Sequence, residues 1–375
     1  MSFKMEPYNS DWPKQFSQLR TSLLTRLQGI KDITIEHIGI TAVPDLPAQP
    51  IIDILTIAPL THIDDISAAL VTNGPYECQD DPRFPHCVLL KASHTAPPHI
   101  IFLCPTSSLP ARAHLAIRDT LLTDADLRAE CTSTSTPYRA SQPPKEPILQ
   151  PYRDVNTALL QQLLIASQQF TTAELATLLM SDLSAYWQPI STPRLVLREY
   201  ELGDVEGLFA LESNADNARY QSWHPWTRLE ARQNLLRGIQ RSYERGRTTI
   251  ELAVVYEGSF IGRIGAAISS VPRTDQTEEM KHRRPSKHFT LWYSFLPSHQ
   301  GKGLATEAMR TFVDRLLERH GEKGEHTEME IECDPRNTGS WKLAERLGFE
   351  RASLTERAWE CKGEWVDSLV YRKIV

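Results

Sequence analysis

Apolar residues along this chain recur with two periods, and the alternation between those periods divides it into two runs of strands and helices. Phe16, Leu19, Leu23, Leu24 and Leu27 share one face of a helix opened by Asp11, Trp12 and Pro13. Residues 33–38 alternate as a strand, Gly39 breaks it, and a loop follows through Pro44, Pro47 and Pro50. Residues 51–57 then read as a buried strand carrying one carboxylate, Asp53. A carboxylate in such a strand is costly unless it is paired, hydrogen-bonded or metal-bound, so Asp53 is the informative residue of this half. Residues 131–147 are rich in Ser, Thr, Pro and Gln and read as a surface loop. Two helices are expected over 152–167 and 171–187, the second serving as a connector that ends at Pro189 and Pro193.

Beyond Thr192 the pattern predicts a strand at 195–199, a helix at 203–213, an aromatic loop and a helix at 228–245. Strands at 250–256 and 260–270 follow, then a mixed-charge insertion at 271–288 read as a solvated hairpin tip. A strand at 289–296, a helix from Gly303, a strand at 329–333, a helix at 338–347 and two closing strands complete the order. This is a mixed α/β pattern in two domains, 1–170 and 191–375, joined by a helical connector at 171–190. Between the strand ending at Leu296 and the helix lies Gln300-Gly301-Lys302-Gly303. A strand that turns through two glycines into a helix N-terminus presents unpaired backbone N–H groups at the positive end of the helix dipole, an arrangement that suits phosphate. It is not a P-loop, because Gly303 follows Lys302, nor a dinucleotide fingerprint, because Thr306 stands at the third glycine.

Q-G-K-G-L-A after a strand resembles the Q/R-x-x-G-x-G/A loop of GNAT acyltransferases. T-P-R-L-V-L-R (192–198), Y-Q-S-W-H-P (220–225), N-T-G-S-W-K-L-A-E-R-L-G-F (337–349) and G-E-W-V-D-S-L-V-Y (363–371) resemble its RimJ/RimL-like branch. The resemblance implies an acetyl-CoA N-acyltransferase fold, in which the strands flanking the central helix splay apart around the pantetheine arm. It assigns acetyl-CoA contacts to Phe295, Leu296, Gln300, Gly301, Lys302, Gly303, Leu304, Ala305 and Asn337. A backbone N–H within 294–296 is the implied oxyanion donor. Ser340 matches the serine of the family's N-x-x-S motif and is the candidate proton donor to the departing thiolate, helix capping being the alternative. For the base Glu332 is favoured, with Glu330 on the same strand face and Glu360 as alternatives. Trp223, His224 and Trp226 border the implied acceptor entrance, where the sequence shows no cluster of carboxylates.

I-E-H-I-G-I-T-A-V-P-D-L-P-A-Q-P-I-I-D-I (35–54), with E-P-Y-N-S-D-W near the start and H-L-A-I-R-D (114–119), resembles the GrpB (UPF0157) family, a branch of the nucleotidyltransferase fold. That implies a mixed sheet with helices and a ligand site drawn from Glu36, Gly39, Asp53, His99 and Arg118. Ile40 stands where the family has serine, and Gln49 where it has lysine. Nucleotidyltransferases hold divalent metal through two carboxylates one residue apart, and the second position here is Leu55. Catalytic, ligand-binding and structural roles all stay open for this domain.

With 375 residues, two domains are the default. Hydrophobic residues at 41% and charged residues at 23% are ordinary for a globular protein, and a net charge of −6 argues against a general nucleic-acid binder. The six cysteines form no C-x-x-C pair, and His86, His94, His99 and His114 have no metal-ligand spacing, so no metal site is expected. No apolar leader or membrane-length run is present, which makes the cytoplasm the expected location with the nucleus open. The reading is an acetyl-CoA-dependent N-acetyltransferase acting on a peptide or small-molecule amine, with no nucleic-acid or membrane partner. Its competitors are nucleotidyl transfer or nucleotide binding by the first domain, and a non-catalytic acyl-CoA-binding scaffold.

Overall fold

The computed structural model describes residues 4–72, 74–80, 84, 86–92, 96–134, 152, 155–179, 186–244, 246–270, 287–321 and 326–375. His94, residues 271–286 of the expected insertion and residues 135–147 of the expected loop lie outside them. Two compact units divide the chain, Met1–Met180 and Ser181–Val375.

The first unit opens with α1 (Trp12–Arg26), whose Pro13 sits in the first turn; the Asp11 side chain makes no capping bond. Five strands follow: β1 (Thr34–Ile38), β2 (Ile52–Ala58), β3 (Tyr76–Asp80), β4 (Val88–Ala92) and β5 (His99–Pro105), with α2 (Ile63–Thr72) between β2 and β3. They form one mixed sheet in the order β1-β2-β5-β4-β3, in which only β2 and β5 run parallel. The parallel pair lies at the centre and is the most apolar, as strands covered on both faces must be. Next come α3 (Leu109–Thr123), α4 (Ala125–Thr134), α5 (Thr157–Ala166) and α6 (Thr172–Leu178). Residues 131–134, read from composition as loop, are the last turn of α4. Of the helix expected over 171–187, the structure describes the seven residues of α6, opened by a Thr171–Glu174 capping box and closed at Leu179, while residues 180–185 lie outside the described residues. Glu174 also holds Arg112 of α3 at 2.5 Å, so α6 is fastened to the first unit.

The second unit runs β6 (Ile190–Ser191), β7 (Leu195–Arg198), α7 (Val205–Glu212), α8 (Ala215–Ala218), α9 (Arg228–Ser242), β8 (Thr249–Tyr256), β9 (Ser259–Ser270) and β10 (Lys287–Phe295). It continues α10 (Leu304–His320), β11 (Thr327–Cys333), α11 (Thr338–Arg346), β12 (Glu350–Cys361) and β13 (Glu364–Ile374). Eight strands form a sheet in the order β12-β13-β11-β10-β9-β8-β7-β6. The apolar stripe of α10, including Leu304, Ala308, Met309, Phe312 and Leu316, packs on Phe289, Leu291, Ile264, Met329 and Ile331 as one core. Both units are therefore mixed α/β.

Only β10 and β11 are parallel in this sheet, and they pair for four residues alone, Lys287–Thr290 against Thr327–Glu330. Beyond that point β10 stays on β9 as far as Phe295 and β11 stays on β13 as far as Cys333. The two strands thus diverge in mid-sheet. On the face opposite α10, the ring of Trp292 lies over Gly265, where an added Cβ would meet it at 2.3 Å. Gly265→Ala should therefore displace a ring held by Glu251 and lower stability by about 1–3 kcal/mol. Denaturant melts followed by tryptophan emission will check this, and an unchanged midpoint would contradict the packing.

Candidate functional site

The divergence of β10 and β11 leaves backbone groups facing an opening. Leu296 N–H donates to Ile261 C=O, which fixes the ladder phase: even residues of β10 bond to β9, and Leu291, Tyr293 and Phe295 direct their N–H and C=O groups toward the opening. Thr327 and Val375 exchange both backbone bonds, so on β11 it is Glu332 whose backbone faces the gap. The gap widens into a cleft of about 1230 Å³ lined by β10, β11, the 297–307 turn and the first turns of α11.

At one end of the cleft the chain leaves β10 through a short 3₁₀ turn, Pro297–His299, and enters α10 at Gly303. Gly301 and Gly303 have φ of +72° and +77°, conformations that favour glycine. Gly303 carries no side-chain cap, and the first intrahelical bond is Glu307 N–H to Gly303 C=O. The N–H groups of Leu304, Ala305 and Thr306 thus point out of the helix end. Arg194 braces this turn. Its Nε meets Glu307 at 2.7 Å and its Nη1 donates to Lys302 C=O at 3.1 Å, while the Thr192 hydroxyl donates to Glu307 at 2.6 Å. Burial raises the Glu307 carboxyl, but the bonds from Thr192 and Arg194 outweigh it and hold the group below its ordinary value. Gln300 Nε2 reaches back to Phe295 C=O at 2.9 Å, joined there by Asn217 Nδ2 at 3.2 Å. The Lys302 side chain is exposed and lies off the cleft wall; Leu296 has its N–H committed to Ile261. Arg310, Lys342 and Arg346 add three cations to the lining.

Farther in, Asn337 caps α11 by accepting from Ser340 N–H. Ser340 is therefore not itself the cap. Its hydroxyl lies 2.9 Å from the Tyr293 hydroxyl and beside the Cys333 thiol. Burial raises both Tyr293 and Cys333, so both stay protonated. Glu332 belongs to the other face of the sheet, since residues alternate along β11 and its neighbours Ile331 and Cys333 enter the α10 core. It lines the cleft and accepts from the Ser368 hydroxyl. Glu330 lies 2.9 Å from Arg372, which takes it into an ion pair, and Glu360 stands on exposed β12, separated from β11 by β13. His288, Glu328 and Glu330 bring three potential ligand atoms within 4.8 Å of one another, but Arg372 already faces both carboxylates, at 3.8 and 2.9 Å.

Trp223, His224 and Trp226 lie between α8 and α9, outside the cleft lining, with His224 exposed. Both tryptophan rings stack on Arg263, and Trp223 Nε1 donates to Glu212 at 2.9 Å. Arg263 is clamped between Glu212 at 2.8 Å and Glu251 at 2.7 Å. Carboxylates do gather beneath this loop, contrary to the sequence expectation, because α7 and β8 deliver one each. Asp216, Asn217, Tyr220 and Gln221 are the residues of this region that line the cleft.

In the first unit, Glu36 and Arg118 pair at 2.8 Å, and Asp53 stands opposite Ile38 beside Gly39. Register places Asp53, Ile38 and Glu36 on one sheet face and His99 on the other, because His99 pairs with Ile52. His99 is held by the Tyr76 hydroxyl at 2.8 Å and by Pro97 C=O at 2.9 Å, so it does not join the other four.

Residues 2–164 match the family model of the GrpB protein, and residues 194–350 match that of the acetyltransferase (GNAT) domain. The chain joins a GrpB domain to a GNAT acetyltransferase domain. An uncharacterized N-acetyltransferase, p20, of Bacillus licheniformis is 24% identical over 186 residues, 49% of this chain and 94% of that one. A UPF0157 protein of Streptomyces coelicolor is 32% identical over 127 residues, 33% of this chain and 64% of its own. Among solved structures, RimL ribosomal L7/L12 alpha-N-protein acetyltransferase in complex with coenzyme A aligns over 50% of this chain and 98% of its own, with 18% identity and a TM-score of 0.41.

Sequence reading of the GNAT domain missed Tyr293 and the Arg194–Glu307 brace. A tyrosine on the buried face of a strand needs a hydrogen-bond partner, and that signal was available for Tyr293. Nothing local marks Glu307 as the partner of a residue 113 positions away. Because the folded value of Glu307 is depressed, its stabilising contribution is complete above the unfolded value of about 4.3 and is lost as pH falls through the folded value. Glu307→Gln should lower the melting temperature at pH 7, and the gap to the parent protein should close in acid. A gap that stays constant between pH 7 and 3 would contradict the brace.

Proposed function

We propose that the GNAT domain transfers an acetyl group from acetyl-CoA directly to a primary amine, either a peptide N-terminus or a small molecule. The observation that carries this reading is the mid-sheet opening. It leads from unsatisfied N–H groups at the start of α10, along the free edge of β10, to hydroxyls on one sheet face and a carboxylate on the other. Acetyl-CoA would supply an activated thioester. The N–H groups of 304–306 suit its pyrophosphate, and Arg310, Lys342 and Arg346 suit its remaining phosphate. Phe295 N–H, whose neighbours Ser294 and Leu296 turn their N–H groups to β9, is the donor placed to meet the carbonyl oxygen as it gains charge. Glu332, oriented by Ser368, accepts the amine proton directly or through water. Ser340 returns a proton to the departing sulfur. Base and acid on opposite faces of the sheet let the amine approach from one side and the thiolate leave toward the other.

For the GrpB domain, Asp53 with Leu55 lacks the paired carboxylates that metal-dependent nucleotidyl transfer requires, and Arg118 already engages Glu36. A separate ligand-binding role centred on Asp53, Gly39 and Arg118 suits these groups better. The protein works in the cytoplasm in this reading.

A panel of amine, peptide and antibiotic acceptors with thiol-release detection tests the activity. Lys302→Ala should weaken acetyl-CoA binding only modestly, because the loop offers backbone groups. Gly303→Val should abolish binding, since the positive φ is closed to valine and the first-turn N–H groups lose their alignment. Binding by this valine variant at parental affinity in calorimetry would remove the coenzyme assignment. Ser340→Ala should lower turnover by ~10²-fold with acetyl-CoA affinity unchanged. Asn337 remains as the cap, so the melting temperature should hold; normal turnover would exclude Ser340 from the chemistry.

A further inference from the structure

The Tyr293 hydroxyl touches two atoms of one residue, Ser340 C=O and Ser340 Oγ, each at 2.9 Å. It has a single hydrogen to give. The carbonyl can only accept, whereas the serine hydroxyl can accept or donate. Two arrangements satisfy these groups. In one, Tyr293 donates to the carbonyl and Ser340 donates to the tyrosine oxygen, which turns the serine proton inward. In the other, Tyr293 donates to Oγ and the serine proton is released, free to turn into the cleft or to the Cys333 sulfur beside it. The Ser340 backbone is fixed in both, its N–H held by Asn337 through Oδ1 at 3.2 Å and through the main-chain carbonyl at 3.0 Å.

We infer that Tyr293 is a positioning residue for proton delivery, switching its hydrogen bond from the Ser340 carbonyl to the Ser340 hydroxyl so that the serine proton points at the coenzyme sulfur. This rests on the proposed acetyl transfer. As the carbon–sulfur bond breaks, its electron pair goes to sulfur and the Ser340 proton follows it, giving the free thiol. The serine oxygen keeps the hydrogen bond from Tyr293 until water carries back the proton that the amine has lost, so protons balance over the cycle. Burial keeps the tyrosine protonated throughout, which makes it a donor at any working pH. The Cys333 thiol, which also shares a hydrogen bond with Ser340, is raised by burial and stays neutral, so it is a weaker acceptor of the serine proton than the departing thiolate.

A buried tyrosine held only by the carbonyl would be structural, and coenzyme binding separates the two roles without any acceptor. CoA and desulfo-CoA, which lacks the thiol, are titrated by calorimetry at pH 6.5 and at pH 9, where thiols ionise. At pH 9 the parent protein should prefer CoA by ~10-fold or more, because the hydroxyl pair donates to thiolate. The preference should shrink at pH 6.5. Tyr293→Phe and Ser340→Ala should each lose the pH 9 preference while keeping desulfo-CoA affinity, and the double variant should lose no more than either single one. A full CoA preference in Tyr293→Phe overturns the inference. So does an equal loss for CoA and desulfo-CoA in that variant, which would make the tyrosine structural. If the parent protein binds neither compound, the coenzyme reading of the cleft falls as a whole.

Discussion

Two parallel strands that stop pairing after four residues impose the constraint on which the second unit is built. Every backbone N–H and C=O in a sheet needs a partner, and the departure of β11 from β10 at Thr290 and Glu330 removes those partners along one edge of each strand. The chain resolves part of the deficit itself. Gln300 and Asn217 both turn their amides to Phe295 C=O, closing the far end of the opening and fixing the turn that leads into α10. The rest of the edge remains directed into the cleft. Because α10 begins immediately after that turn, its unsatisfied first-turn N–H groups face the same space. The cleft and its anion site are two consequences of one break in the ladder.

Alternation along β10 and β11 then sorts the chemistry by face. Odd residues enter the helical side, where Tyr293 and Cys333 meet Ser340 of α11. Even residues face the other way, where Glu332 meets Ser368, Trp292 meets Glu251, and Glu330 is taken by Arg372. Of the three carboxylates that share this strand face, Glu328 and Glu330 face Arg372 and Glu332 lines the cleft. The same face carries Arg263 between Glu212 and Glu251, with Trp223 and Trp226 stacked above it. This buried cluster anchors the aromatic loop and leaves the cleft wall to Asp216, Asn217, Tyr220 and Gln221. Burial, opposed by Arg263 and Trp223, raises Glu212, which marks how far the cluster is withdrawn from water.

The first unit applies the same rule to its central parallel pair. Asp53 shares a sheet face with Glu36, which Arg118 of α3 neutralises, whereas His99 follows Ile52 to the opposite face and is satisfied by Tyr76. A single residue of register separates a group that belongs with Asp53 from one that does not.

Taken alone, the sequence determined the period of each segment and the residues that interrupt it. The strand before the glycine turn, the helix stripe from Leu304 to Leu316, the buried strand around Asp53 and the succession of elements beyond Thr192, apart from the short α8, were all legible. These depend on neighbours within a few positions, and the chain writes such neighbours in order. The two glycines at 301 and 303 were legible for the same reason, as backbone freedom is local. Tertiary structure alone decided which groups meet. It set Arg194 against Glu307, Tyr293 against Ser340, and Arg263 between carboxylates from α7 and β8. It also ended α6 at Leu178, continued α4 through 131–134 and left Asp11 without a capping bond. The physical reason is the same throughout. A side chain's periodicity is fixed by its own segment, but its partner is chosen by strand register and helix packing across distant positions, which no local pattern encodes.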